Sequence, residues 1–365
     1  MIEQIRLSNF KCFEELDLKL GTLNLFTGLN GMGKSTIIQI LLMLHQSNNQ
    51  GYLDKKTVCL NGDYIKLGTG QDVLYQNAND EVISVELKDT NDNISFRFRY
   101  EKDADMLEII DSLRPASGYL GMVFEKLEYL NAERVSPQTV YPKSSVHIND
   151  MLLGVNGQYT AHYLSLHGED AMRWDSGCGN GASLKEAVQH WLNEISPNVK
   201  FDIQNIDNTE LAKIEYYFSS RSVSNVFRPT NIGFGITYVL PVIVALLKAQ
   251  PGSTLIIENP EAHLHPRGQR KIGELISVCA ANNVQVFIET HSDHVLNGIR
   301  IAVKNSVIQH SAICVSFFEK TIENDKVKHI VQTPSIDKHG KIDVWPDGFF
   351  DEWEKALDEI IFGGQ

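Results

Sequence analysis

The chain has 365 residues, 42% hydrophobic and 22% charged, the balance of a globular protein able to bury at least one large core. A formal net charge of −13 and a pI near 5.4 argue against the globally basic character on which a bare nucleic-acid binder relies. No window approaches ~18 uninterrupted apolar residues, MIEQIRLSNF is not a signal-peptide pattern, and five scattered cysteines without a C-x-x-C pair oppose a disulfide framework or zinc ribbon. These features predict a cytoplasmic protein with no membrane segment.

In chain order, IRLSNFKCFEELDLKL alternates apolar and polar residues and predicts a two-stranded hairpin. TLNLFTG reads as a buried strand and is followed by the turn GLNGMGKS (Gly28–Ser35) and the apolar helix TIIQILLMLHQ. Four strand-like pieces come next, KTVCL, YIKLG, VISVELKD and ISFRFRY, separated by Asn-Gly and Asn-Asp turn signals. From 103 to 228 the pattern is mixed, with a helical SLKEAVQHWLNEI and a linker-like SGCGNGAS; the absence of a sustained heptad predicts a compact inserted lid rather than a coiled-coil arm. After Gly233 an apolar helix, the strand STLIIE, a helix, the strand VQVFIET and another helix alternate, as in a parallel sheet flanked by helices. The expected fold is therefore α/β, with N-terminal antiparallel strands and parallel core strands, divided into a discontinuous head (1–102 and 229–327), the insertion 103–228 and a tail 328–365 ending in an amphipathic helix.

GLNGMGKS fits G-x-x-x-x-G-K-[ST] between a strand and a helix, the setting in which backbone N–H groups face phosphates. Asn30, Gly31 and Gly33 would shape that cradle, Lys34 would reach the β/γ-phosphates, Ser35 would ligate magnesium and Thr36 would add a phosphate contact. IIENPEAHLHP ends its strand in Glu258, a carboxylate suited to magnesium. The next residue is Asn259, an amide that cannot take a proton, so the general base stays open between Glu261, Asn259 and His291. His263, His265, His291 and His294 could alternatively be read as a metal cluster, although no additional acids or thiols support that reading. NIGFG opens an apolar helix with two glycines, leaving its first N–H groups accessible to an anion.

In this order, IRLSNFKCF, the glycine loop, NIGFG, IIENPEAHLHP and IETHSDHVLNGIR resemble the ABC-type ATPase heads of the RecF/SMC/OLD group, specifically relatives that carry ExPEahLHP and a C-terminal domain of unknown function. The resemblance implies ATP and Mg²⁺ as ligands and a head-to-tail homodimer sandwiching two nucleotides. In that dimer Gly233, Phe234 and Gly235 would face the other subunit's loop. Asn9 and Lys11 would approach the nucleotide, and Gln71 or Asp72 of LGTGQDVLY would sense magnesium. AHLHP would be the D-loop, and Arg134 of YLNAERVSPQTVYP is a candidate phosphate or interface contact. Two departures stand out: Asn259 replaces the usual second acid, and the short stretch after His291 leads to the expectation that a TOPRIM nuclease does not fit there. The sequence therefore predicts a slow ATP-hydrolysing switch that controls a separate effector or nuclease subunit, in the manner of anti-phage systems. The competing expectations are a nucleotide-locked scaffold with negligible turnover and a RecF-like repair ATPase on duplex DNA, with a small-molecule kinase as a distant fourth.

Overall fold

The computed structural model describes residues 1–114, 126–179, 181–218, 226–323 and 326–363; Asn180 of the linker-like stretch lies outside them. The chain divides into two compact units, Met1–Glu125 with His291–Asp293 and His310–Gln365, and Lys126–Thr290 with His294–Gln309.

In the first unit the expected hairpin forms from Gln4–Phe10 and Phe13–Lys19 and extends into a six-stranded antiparallel sheet with Val82–Lys88, Asn93–Arg99, Met106–Leu113 and Thr57–Cys59. Register follows the period-two pattern: Ile5 opposes Leu18 and Leu87, and Ile5, Leu7, Val85, Leu87, Phe96 and Phe98 are all buried. Each such side chain contributes about 1.5–3 kcal/mol when fully buried. A second set of strands in this unit pairs Leu23–Gly28 in parallel with Ile313–Glu323, which turns back on Lys326–Gln332. The helix Lys34–Asn49 is buried nearly all round, as its run of Ile, Leu and Met requires.

YIKLG does not become a strand. Its Lys66 makes only an isolated bridge with Asn61, and the Asn61 side chain exchanges two hydrogen bonds with Gly68, donating at 2.7 Å and accepting at 3.0 Å. One amide thus does locally what a neighbouring strand would otherwise do. The insertion expected to begin at 103 opens instead with Met106–Leu113, which pairs with Asn93–Arg99 and prolongs the first sheet, and the tail from 328 includes the outer strand of the Ile313–Glu323 hairpin. The unit ends in the helix Glu352–Phe362, where Trp353, Ile360, Ile361 and Phe362 are largely exposed beside Glu352, Glu354, Asp358 and Glu359.

In the second unit three parallel strands, Leu127–Leu130, Thr254–Glu258 and Gln285–Glu289, lie side by side with Thr254–Glu258 in the middle. Ile256 opposes Tyr129 and Phe287. A smaller antiparallel sheet joins Val199–Asn205, Leu211–Phe218, Val226–Phe227 and Tyr141–Pro142. The helices Leu184–Ile195, Phe234–Lys248 and Pro266–Ala281 pack against one another. The helix Phe234–Lys248 continues through Pro241, surrounded by buried Leu, Val and Ile. At its end Lys248 is almost fully buried, pairs with Glu128 at 2.5 Å and lies over the Tyr163 ring. Among the described residues no helix is long and apolar enough to cross a membrane.

Candidate functional site

The strand Leu23–Gly28 delivers the glycine loop to the first turn of Lys34–Asn49. Gly28 has φ 134°, and a Cβ there would fall 2.2 Å from the carbonyl oxygen of Phe318. Gly33 caps the helix at φ 99°, where a Cβ would meet Cys12 Sγ at 2.7 Å and the Phe13 ring at 2.9 Å. No L side chain satisfies both the left-handed backbone and that crowding, so the motif's spacing of glycines is imposed by packing. The helix starts with no side-chain cap and no acid in its first turn, leaving its positive end uncompensated.

Lys34 is almost completely buried, and its ammonium donates to the carbonyls of Gly28 at 2.9 Å and Leu29 at 2.8 Å. Ser35 is half-buried on the same turn, Thr36 is buried with its hydroxyl 3.7 Å from Cys12 Sγ, and Asn30 and Gly31 are exposed. His291 belongs to this unit. Partial desolvation, and secondarily the charge of Lys34, holds its imidazole below the ordinary value, favouring the neutral ring.

Asn9 and Lys11 both occupy left-handed backbone in the hairpin turn. The Asn9 amide donates to Asp80 at 2.6 Å and to the Val82 carbonyl at 3.1 Å, and the Lys11 ammonium donates to Gln39 on the loop's own helix at 2.6 Å. Gln71 is exposed on the short helix Gly70–Val73. Its neighbour Asp72 is committed to a capping box, accepting from the backbone N–H of Thr69 at 2.8 Å.

In the second unit the strand Thr254–Glu258 ends in a half-buried carboxylate. Burial pushes the Glu258 carboxyl above the usual range, opposed by the Tyr129 hydroxyl, the Ala132 N–H and the charge of Arg134. Tyr129 donates to Glu258 Oε1 at 2.9 Å. Asn259 follows at φ 44°, with its N–H on the carbonyl of Glu289 at 2.8 Å. Its buried side-chain oxygen has no hydrogen-bond partner among the described residues.

No sequence motif marks Tyr129, and the resemblance offers Arg134 only as a phosphate or interface contact. Arg134 is buried, and its guanidinium donates to the backbone carbonyls of Glu258 at 2.6 Å and Asn259 at 3.1 Å. Burial lowers its pKa to about 10, with Glu261 the strongest opposing charge, so it remains a cation at neutral pH. The Tyr129 contact comes from the register of strands 129 residues apart in sequence and the Arg134 contact from a segment 124 residues before Glu258, neither of which a local pattern carries.

Gly233 caps the helix Phe234–Lys248, and the Phe234 ring is 54% exposed, lying tilted against the rings of Tyr238 and His263. A Cβ on Gly235 would lie 2.4 Å from the His263 carbonyl oxygen, so the turn after Glu261 and the start of this helix are pressed together. His265 caps the helix Pro266–Ala281, accepting from the Arg267 N–H at 3.3 Å. Among the described residues no three His, Cys, Asp or Glu side chains converge as metal ligands.

The comparisons with known proteins agree with this arrangement. Residues 1–159 match the family described as "AAA ATPase domain", residues 151–297 match "AAA domain, putative AbiEii toxin, Type IV TA system", and residues 308–360 match "Protein of unknown function (DUF3696)". No curated protein matches the chain in sequence. Similar solved structures include an SMC head bound to the C-terminal winged-helix domain of ScpA, at 14% identity and a TM-score of 0.52, covering 91% of this chain and 97% of that one. An SMC head domain with an extended coiled coil, bound to the C-terminal domain of ScpA from Pyrococcus furiosus, is similar at 12% identity and a TM-score of 0.51, covering 99% of each chain. These likenesses establish the fold, that of an SMC ATPase head.

Proposed function

We propose that this chain, an ABC/AAA-type ATPase of the RecF/SMC/OLD kind, is a cytoplasmic ATP-driven switch. Two copies close head to tail around ATP and magnesium, slow hydrolysis releases them, and the change is passed to a separate effector, such as a nuclease subunit in anti-phage defence. The observation that carries this reading is the buried Lys34 ammonium held at the carbonyls of Gly28 and Leu29 under an uncapped helix start.

The residues fit a nucleotide. Gly31 has φ 75° and nothing within 4 Å of where a Cβ would stand, so its backbone is open to a close ligand. Asn30, Gly31, Gly33 and Thr36 would contact the phosphates and Lys34 would balance their charge, with Asn9 and Lys11 beside them. Ser35, Glu258 and Gln71 are the candidates for holding magnesium. Bound magnesium would offset the charge that builds up on the phosphate oxygens. A neutral His291 can donate one hydrogen bond while accepting another. The Asn259 side-chain oxygen can accept an O–H from water but cannot carry the proton away, and the next carboxylate along the chain is Glu261, two residues on, which supports slow turnover. Gly233, Phe234 and Gly235 would be offered to the second copy, and the exposed Phe234 ring supports that. The apolar stripe on the acidic helix Glu352–Phe362 supports a protein partner.

The test is association. Light scattering behind gel filtration should give a dimer with a non-hydrolysable ATP analogue and magnesium, and a monomer without nucleotide or with Lys34→Ala. A size indifferent to nucleotide defeats the switch. Asn259 also favours a second reading, a nucleotide-locked scaffold, which predicts the same dimer with no phosphate release.

A further inference from the structure

We infer that Tyr129 and Arg134 are positioning residues that set the strand-end carboxylate Glu258 for magnesium, an inference that rests on the ATPase reading above. The two contacts are independent. The phenol donates to Oε1 of the carboxylate at 2.9 Å and so fixes its rotation. The guanidinium fork holds the main chain at the carbonyls of Glu258 and Asn259, fixing where the strand stops and the left-handed turn begins. One group orients the side chain and the other orients the backbone that bears it.

Three observations support a role beyond filling space. Tyr129 is buried and lies on the strand adjacent to that of Glu258, with Tyr129 opposite Ile256 in the parallel register. Its hydroxyl is spent on this carboxylate, where a phenylalanine would fill the same volume. Arg134 is a buried cation, a costly choice for merely closing a turn, and its guanidinium grips two successive carbonyls as a lysine point charge cannot. A group that holds a metal ligand in place typically changes metal affinity or activity by roughly 10–100-fold when removed.

The experiment compares wild type, Tyr129→Phe and Arg134→Lys by binding of a fluorescent ATP analogue, in excess EDTA and across a magnesium titration, with phosphate release measured on the same samples. Tyr129→Phe should leave affinity in EDTA and the melting temperature as in wild type, while half-saturating magnesium rises roughly tenfold or more. Arg134→Lys should move the magnesium titration in the same direction. Equal loss of affinity in EDTA and in magnesium would mean a purely structural role and would overturn the inference. So would magnesium titrations of both variants that superimpose on an active wild type, which leaves the ATPase reading standing. A wild type that binds no ATP overturns both.

Discussion

The ammonium of Lys34 donates to the carbonyl of Gly28 at 2.9 Å, so the residue that opens the loop and the one that begins its helix are joined directly. Lysine here serves the fold as well as the proposed phosphate contact. Lys34→Ala should therefore lower stability by about 0.5–1.5 kcal/mol, the usual net worth of an intramolecular hydrogen bond between groups that water can partly reach. It should also abolish nucleotide-dependent stabilisation, which for wild type reaches about 2.7 kcal/mol at a hundredfold excess over Kd. Thermal melts with and without magnesium–ATP check both halves.

On the proposed ATPase reading, Asn259 is expected to set the rate. Asn259→Glu should speed phosphate release by roughly 10²–10⁴, the range for installing a general base. It should also cost up to about 1–2 kcal/mol of stability, because a longer side chain at φ 44° loses asparagine's tolerance of that region. If Glu261 is the natural base, Glu261→Gln should remove the residual wild-type rate. Steady-state phosphate release on the three proteins decides.

Stability should fall on mild acidification through His291 and His162. Both imidazoles are held below their ordinary value, chiefly by desolvation, with Lys34 adding for His291 and Lys143 for His162. Between the lowered folded value and the unfolded value of about 6.5 the unfolded chain binds more protons, so stability is fully present above ~6.5 and is lost as pH falls below it. Urea unfolding at pH 7.5 and pH 5.5 should show the drop. His291→Gln and His162→Gln should each shrink it without changing the pH 7.5 value by the same amount.

The hairpin, the glycine loop and the ends of both core strands could be read from the sequence because each is local. Gly28 and Gly33 announce a crowded left-handed turn, and Glu258 follows four apolar strand residues. What escaped depended on side-chain and strand partners that composition does not specify. YIKLG has strand composition, but the nearby Asn61 amide claims its backbone. Met106–Leu113 is a strand only because Asn93–Arg99 lies beside it. The Asp72 carboxylate accepts from the backbone N–H of Thr69, a capping contact that the pattern LGTGQDVLY does not announce. Tyr129 and Arg134 were invisible as a pair because their common target lies more than 120 residues downstream.

The buried pair Glu128–Lys248 offers a test by double-mutant cycle. Either Glu128→Leu or Lys248→Met alone strands a charge with little access to water and should cost about 3–5 kcal/mol. The double variant should recover most of that loss, and chemical denaturation of the four proteins gives the coupling.

Glu128 and Tyr129 are consecutive residues on one short strand and point to its opposite faces, one to the end of the helix Phe234–Lys248, the other to Glu258. Substitutions on this strand act singly, but displacement cannot. A deletion of one residue within it would turn the phenol toward Lys248 and set the Glu128 carboxylate against the Glu258 carboxylate, breaking both contacts at once. Across related chains, then, insertions and deletions should accumulate freely in the loops and be absent from this strand, even where its residues differ.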